Sequence, residues 1–162
     1  MGYHTDFQGQ FDVTPTLKPE HAAYIKAFAE TRRMDRDPEK VTLPDPIREK
    51  VGLPLGPHGG YFVGGAGFLG QDSDASVMNS NEPPVDQPAL WCQWVPTEDG
   101  KHIEWDGGEK FYDYVKWIKY LTTHFLQPWG YTLNGEVGWR GEDFGDNGTI
   151  TIEDNKVTIK AR

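Results

Sequence analysis

Cysteine, long apolar runs and basic residues are all scarce in this chain. The single cysteine, Cys92, excludes an intrachain disulfide and any metal site built from a cysteine cluster. Cys92 stands between two tryptophans in an apolar stretch, which favours a small core residue over a catalytic nucleophile. No apolar run approaches the roughly 20 residues that a membrane helix needs, and the first residues are polar, unlike a secretion signal. We therefore expect a cytoplasmic protein.

Positive charge is outweighed by negative charge. The chain carries 16 Lys and Arg against 25 Asp and Glu, a formal net charge of −9. Because phosphate neutralisation needs clustered cations, this balance disfavours direct nucleic-acid binding. An acidic surface attracts basic partners instead, including DNA-binding proteins that would meet the chain as a mimic of nucleic acid. Acidity is also the ordinary condition of cytoplasmic proteins and needs no partner.

The spacing patterns of metal and phosphate sites are missing as well. The histidines show neither HxxxH nor HxH spacing, so the sequence predicts no zinc site and no cofactor. The segment 143–154 superficially resembles a calcium loop, but Gly145 carries no ligand at the third position, which favours a turn. The glycine-rich run 64–70 lacks the lysine of a phosphate-binding loop.

What the chain does contain is enough for one folded domain. Its 162 residues include six Trp, seven Tyr and eight Phe, so residues 1–162 predict a single domain with an aromatic core. Residues 3–13 alternate between apolar and polar side chains, which predicts a half-buried strand in which Gly9 marks a bulge or close approach. A helix is predicted from Pro19. We expect three arginines to complement the dipole at its C-terminal end, with anion binding as the alternative: Arg32, Arg33 and Arg36.

The central prediction is a long helix that Trp105–Glu109 opens. Asp106 is expected to cap its first turn and Glu109 to complete a capping box. Apolar residues then recur at three- and four-residue spacing to about Gln127, and Pro128 stops the pattern. A short helix over 45–51 and a short strand over 61–63 are also predicted.

Hairpins flank this helix. Leu90–Val95, with aromatics on both faces, is predicted to be a central strand that turns through 96–100 into His102–Trp105. After the helix, Tyr131–Trp139, Thr149–Glu153 and Lys156–Lys160 predict a meander whose last strand is a lysine-protected edge with one buried face. The order predicts an α+β fold: an antiparallel or mixed sheet of about 5–7 strands with two main helices packed on one face.

Carboxylates and tryptophans cluster around the predicted helix. Two carboxylates at the spacing used by glycosidases, among Glu104, Glu136, Glu142 and Asp143, would support acid/base hydrolysis. Trp105 and Trp139 would supply the walls of a carbohydrate or nucleotide pocket. The alternative is that these acids are structural, since capping explains Asp106 and Glu109, and Glu142 and Asp143 lie in a predicted turn.

A second candidate surface is the long loop over 58–88. Flexible glycines beside Tyr61, Phe62 and Phe68 are typical of a lid or a partner-contact loop, with a glycine-rich turn as the alternative. Together with Trp105 and Trp139, these three aromatics form the predicted binding set.

Five segments carry a resemblance to a known group of proteins: His4–Phe7, Glu30–Met34, Leu90–Trp94, Glu104–Phe111 and Asn134–Val137. With them the chain resembles a family of small hypothetical proteins from bacterial and bacteriophage genomes. The resemblance implies no activity, cofactor or catalytic residues. It implies an accessory protein, sometimes of phage type, among which acidic inhibitors of host enzymes are common. The leading prediction is a non-enzymatic binding protein with a basic host partner or a small ligand; the alternative is the carboxylate hydrolase or Trp-lined binder.

Overall fold

A computed structural model describes residues 2–64 and 74–162. The described chain forms two compact units, one of Met1–Lys18 with Gln93–Arg162 and one of Pro19–Cys92. The α+β prediction is confirmed, with one six-stranded antiparallel sheet, one two-stranded sheet and a minor share of helix. In the described residues, no helix has the length and apolarity that crossing a bilayer requires. The single-domain assignment stays a prediction.

The first unit is built on the six-stranded sheet. Its strands follow the spatial order β4-β5-β1-β6-β7-β8, and every neighbouring pair is antiparallel. The strands are β1 (Thr5–Thr14), β4 (Trp94–Pro96), β5 (His102–Trp105), β6 (Thr132–Gly141), β7 (Asn147–Glu153) and β8 (Lys156–Ala161).

The alternation in β1 gives the sheet one buried and one open face, as predicted. Phe7, Phe11 and Val13 are buried, whereas the intervening polar side chains are exposed. Gly9 has a φ of 100°, and a Cβ there would stand 2.8 Å from the carbonyl oxygen of Glu136. The predicted close approach is therefore confirmed.

The central helix begins later than its sequence signature predicts. Helix α3 spans Tyr114–Leu121 and continues as a π-helical turn over Thr122–Leu126. The Asp106 carboxylate accepts a hydrogen bond from the Gly108 amide at 2.7 Å, so it closes a local turn instead of capping a helix. The predicted capping box is wrong.

Two predictions for the hairpins also need correction. The segment 90–93 is not a strand, and β4 lies at an edge of the sheet, so the predicted central position of Leu90–Val95 is wrong. β8 is an edge strand as predicted, but its expected buried face is absent because Ile159 is 57% exposed. The Asp154–Asn155 hairpin is confirmed by positive φ values of 46° and 71°.

The second unit contains two helices and a small sheet. Helix α1 spans Pro19–Glu30, helix α2 spans Pro46–Lys50, and strands β2 (Asp35–Arg36) and β3 (Val77–Asn79) pair antiparallel. Both predicted helices are confirmed. The predicted strand at 61–63 is wrong, since those residues form a turn and irregular chain.

The arginines after α1 are not dipole-complementing surface residues. Arg33 and Arg36 are only 3% and 2% exposed. Arg33 donates to the carbonyl oxygens of Gly60, at 3.0 Å, and of Phe62. Arg36 donates to the Ser76 hydroxyl at 2.8 Å and lies over the Phe62 ring. Buried guanidinium groups need such partners because unpaired buried charge is costly.

Candidate functional site

A depression of about 650 Å³ opens in the first unit. It lies where β1, β6 and β7 run side by side, next to the end of β5. Ten residues line it: Asp6, Phe7, Gln8, Trp105, Gly138, Trp139, Arg140, Asn147, Gly148 and Arg162. The depression thus combines aromatic, amide and charged residues within one unit of the chain.

A transverse row of polar residues crosses this part of the sheet. Asp6 pairs with Arg140, and Arg140 pairs with Asn147. The Arg162 amide donates to the Asn147 carbonyl oxygen at 2.9 Å, next to the Gly148–Ala161 pair. Directly opposite residues of an antiparallel sheet share a face, so these four side chains project from the open face.

The two tryptophans that border the depression direct their rings to the buried face, because Trp139 pairs with Phe7 and Trp105 packs against Phe7, and hydrogen bonds hold them there. The Trp139 indole donates to Asp146 Oδ1 at 3.0 Å. A Cβ on Gly148 would stand 2.8 Å from Trp139 Cζ2, so the ring lies directly against this glycine. The Trp105 indole donates to Gln93 Oε1 and to the Gly108 carbonyl oxygen, both at 3.2 Å. Both indole N–H groups are therefore engaged within the protein.

Asp146 also joins the N-terminal segment to the β6–β7 turn. The Tyr3 hydroxyl donates to Asp146 Oδ2 at 2.6 Å and accepts from the Asp143 amide at 2.9 Å. The hydrogen bond from Tyr3, followed by that from Trp139, lowers the pKa of Asp146. Burial, with smaller contributions from Asp146 and Tyr3, raises the pKa of the adjacent Tyr114 to about 12. The carboxylate is thus held ionised and the phenol neutral at ordinary pH.

None of the four candidate catalytic carboxylates lines the depression. Glu104 lies on β5 and Glu136 on β6, with β1 between the two strands. Glu142 and Asp143 lie exposed in the turn after β6, where a Glu142 oxygen accepts from the His4 amide at 2.9 Å. The carboxylate that does line the depression is Asp6, whose Oδ1 lies 2.9 Å from His4 Nε2.

The predicted binding set is divided between the two units. Trp105 and Trp139 line the depression in the first unit. Tyr61 and Phe62 belong to the second unit, where Phe62 is buried at 1% exposure and lies under the Arg36 guanidinium. Phe68 lies outside the described residues, as does most of the glycine-rich run. The structure brings together two of the five predicted binding residues.

Sequence reasoning missed Arg140 and Arg162 as site residues. Neither guanidinium forms an ion pair or a side-chain hydrogen bond with any residue that the structure describes. The available signal was the position of Arg140 directly after Trp139 in an alternating strand, which places it on the open face. Arg162 carries no local signal, because only the β7–β8 pairing returns it to the site.

The described residues contain no cluster of three or more His, Cys, Asp or Glu side chains arranged to hold a metal ion. Comparison of the chain with protein-family models, curated proteins and solved structures found no match. The resemblance to a family of small bacterial and phage proteins therefore stays a prediction.

Proposed function

We propose that this protein acts by binding and not by catalysis, and that the depression on the open face of β1, β6 and β7 is its ligand site. The observation that carries the proposal is the composition of the depression. Its open face collects two arginines and the amides of Gln8 and Asn147, but none of the four candidate carboxylates of a hydrolase. Small-ligand sites are concave and hold the ligand through a few convergent polar groups.

The packing beneath the depression supports the same proposal. Trp139 is fixed by Asp146 and Gly148, and Trp105 packs edge-on against Phe7 with ring centroids 5.3 Å apart, so both rings hold the strands from the buried face. A site on ordered strands loses little backbone entropy when a ligand binds. The polar row on the open face supplies the hydrogen bonds.

Hydrolysis by paired carboxylates receives less support. A glycosidase needs two carboxyl groups on opposite sides of one scissile bond. Neither Glu104 nor Glu136, on the strands either side of β1, lines the depression, and Glu142 and Asp143 lie in an exposed turn. Turnover of any substrate that depends on Glu104 or Glu136 would contradict the binding proposal.

A basic protein partner is a second candidate, supported by the turn after β6. Phe144 is fully exposed there, at 108%, and exposed Glu142 and Asp143 precede it. An exposed aromatic among acids suits a contact with a basic surface, in keeping with the net charge of −9. A cytoplasmic inhibitor of a host protein would use this turn.

The two candidates are separated by point substitutions on neighbouring surfaces. In a thermal-shift screen of carboxylates, phosphates, sugars and nucleotides, a ligand of the depression should stabilise Gln8→Ala less than it stabilises the wild type. Gln10→Ala is the matched control, since Gln10 is exposed on the same strand and face but does not line the depression. Equal stabilisation of Gln8→Ala and Gln10→Ala would remove the depression as the site.

The partner candidate is tested by affinity capture from lysate at low and high salt. A basic partner should be released by salt, because exposed charge pairs are screened at high ionic strength. Phe144→Ala should lose that partner, whereas Gln10→Ala should keep it. Capture that is independent of Phe144 and of salt would contradict this candidate.

A further inference from the structure

The six arginines of the chain fall into two groups. Four have partners within the second unit, as far as the structure describes it. Arg33 and Arg36 are buried, Arg32 Nε donates to the Ser80 carbonyl oxygen at 3.0 Å, and Arg48 pairs with Asp45 at 2.6 Å. The remaining two, Arg140 and Arg162, lack such partners among the described residues, and both line the depression.

The positions of these two arginines in the sheet bring their side chains to one place. Arg140 and Arg162 flank Asn147 on adjacent strands, so their Cα atoms are separated by two strand spacings, roughly 10 Å. All three side chains share the open face. Long guanidinium side chains can converge across that distance on a group above Asn147.

The two arginines place positive charges close together in a chain whose net charge is negative. Two like charges that flank one amide repel each other, and a chain with a net charge of −9 has many carboxylates that could neutralise them. In the described structure no carboxylate does so. The nearest cross-strand acid, Asp6, directs Oδ1 at His4 Nε2, 2.9 Å away.

The floor beside the pair is open. Gly138 precedes Arg140 by two residues on the same face, and a Cβ there would meet only the Gly148 carbonyl oxygen, at 3.7 Å. A larger residue at this position would fill the space in front of the guanidinium groups. Room, two unpaired cationic forks and an amide between them are the components of an oxyanion site.

We propose that Arg140 and Arg162 bind the oxyanion of a small organic molecule, a carboxylate or a phosphate group, in the depression on the open face of β1, β6 and β7. This inference rests on the proposed ligand site and names the chemistry of its ligand. Asp6, at the other end of the row, directs the anion towards the β7–β8 side by repulsion. Asn147 supplies an amide donor between the two guanidinium groups.

Calorimetric titration of the intact protein with four probes tests this inference: inorganic phosphate, phenyl phosphate, benzoate and benzyl alcohol. Phenyl phosphate and benzoate share the aromatic ring with benzyl alcohol but add the anion. We expect saturable binding of at least one anionic probe below about 10 mM and at least tenfold weaker binding of benzyl alcohol. The ratio between phenyl phosphate and benzoate distinguishes a phosphate site from a carboxylate site.

Arg140→Gln and Arg162→Gln should each weaken binding of the anionic probe about tenfold, the loss expected for one charge-assisted hydrogen bond. Lys101→Gln removes the same charge from an exposed turn outside the depression and should leave binding unchanged. Both arginine side chains are exposed, so these variants should keep wild-type unfolding midpoints, which distinguishes lost binding from lost folding.

Three results would overturn the inference. The first is the absence of saturable binding by any anionic probe, and the second is binding that Arg140→Gln and Arg162→Gln leave unchanged. The third is benzyl alcohol that binds as tightly as benzoate, although the depression would stay a ligand site if Gln8→Ala weakened that binding. Failure of the anion inference is thereby separated from failure of the proposed function.

Discussion

Asp146 carries two functions at the scale of a single residue. Its carboxylate accepts from the Tyr3 hydroxyl and from the Trp139 indole, at 2.6 and 3.0 Å, and so ties the N-terminal segment and the Trp139 ring to the β6–β7 turn. We expect Asp146→Asn to lower the free energy of unfolding by about 1–2 kcal/mol, because an amide replaces a charged acceptor that has two donors. Denaturant unfolding followed by tryptophan fluorescence measures this change.

Asp143→Asn is the matched control for that loss. Asp143 lies in the same turn but contributes its backbone N–H, and not its carboxylate, to the hydrogen bond with Tyr3. Its substitution should change stability by less than about 0.5 kcal/mol. Equal losses in the two variants would show that the turn, and not the Asp146 carboxylate, carries the stabilisation.

The same carboxylate predicts an acid-dependent loss of stability. The Tyr3 hydrogen bond, then that of Trp139, lowers the pKa of Asp146 in the folded protein. Unfolded chains therefore take up this proton at higher pH than folded ones. The contribution is complete above the ordinary aspartate pKa of about 3.9 and is lost as pH falls through the lower folded pKa.

Unfolding free energies measured between about pH 6 and pH 2 check the sign of this effect. The difference between wild type and Asp146→Asn should shrink as pH falls, and Tyr3→Phe should flatten the acid limb because it removes the main donor. A difference that stays constant over this range would contradict the linkage.

At the scale of elements, the β6–β7 pair depends on two glycines with opposite surroundings. A Cβ on Gly148 would collide with Trp139 and with the Lys160 carbonyl oxygen, whereas Gly138 faces open space. Gly148→Ala should therefore lower the free energy of unfolding by about 1–3 kcal/mol, and Gly138→Ala should change it by less than about 0.5 kcal/mol. Equal losses would mean that strand propensity, and not the contact with Trp139, sets the effect.

Elements whose signals are local could be predicted from the sequence. The alternation of Phe7, Phe11 and Val13 reports burial on one face, and Asp154–Asn155 suits a turn that needs two positive φ values. The predicted helix start was wrong because the Asp106 to Glu109 spacing also suits a local turn. In the structure the Gly108 amide donates to the Asp106 carboxylate and closes that turn. Spacing alone does not distinguish the two.

Features that depend on distant partners could not be predicted. The two-residue strand β2 exists only because β3 pairs with it across some forty residues of chain. Arg33 is buried because carbonyl oxygens of Gly60 and Phe62 accept its N–H groups. Within the site, Trp105 and Trp139 were predicted from the clustering of tryptophans in the sequence. Arg162 was not, because it reaches the depression only through the pairing of β7 with β8.

At the scale of the whole molecule, the net charge is negative whereas the depression carries two positive side chains. The chain is acidic overall, yet its depression holds two of its six arginines, and neither forms an ion pair with an acid that the structure describes. Long-range attraction follows net charge, but binding at contact follows the local groups. A basic partner at the Phe144 turn and an anionic ligand in the depression are therefore compatible on one molecule.

The assignment of residues 1–162 to one domain leads to a prediction about unfolding. Five of the six tryptophans belong to the first unit, whereas helix α1 belongs to the second. Tryptophan fluorescence therefore reports mainly on the first unit, whereas far-ultraviolet circular dichroism reports on the helices of both. For a single cooperative domain of this size, we expect the two urea transitions to coincide in midpoint and slope.

Residues 19–92 leave the first unit after Lys18 and return to it at Gln93, so both ends of the second unit are tied to strands or turns of the first. Such a double connection favours joint unfolding, since loss of β1 or β4 releases an anchor of the inserted segment. Trp91→Phe removes the tryptophan of the second unit and makes the fluorescence signal specific to the first. A helical transition that precedes the fluorescence transition in this variant would divide the chain into two independently folding domains.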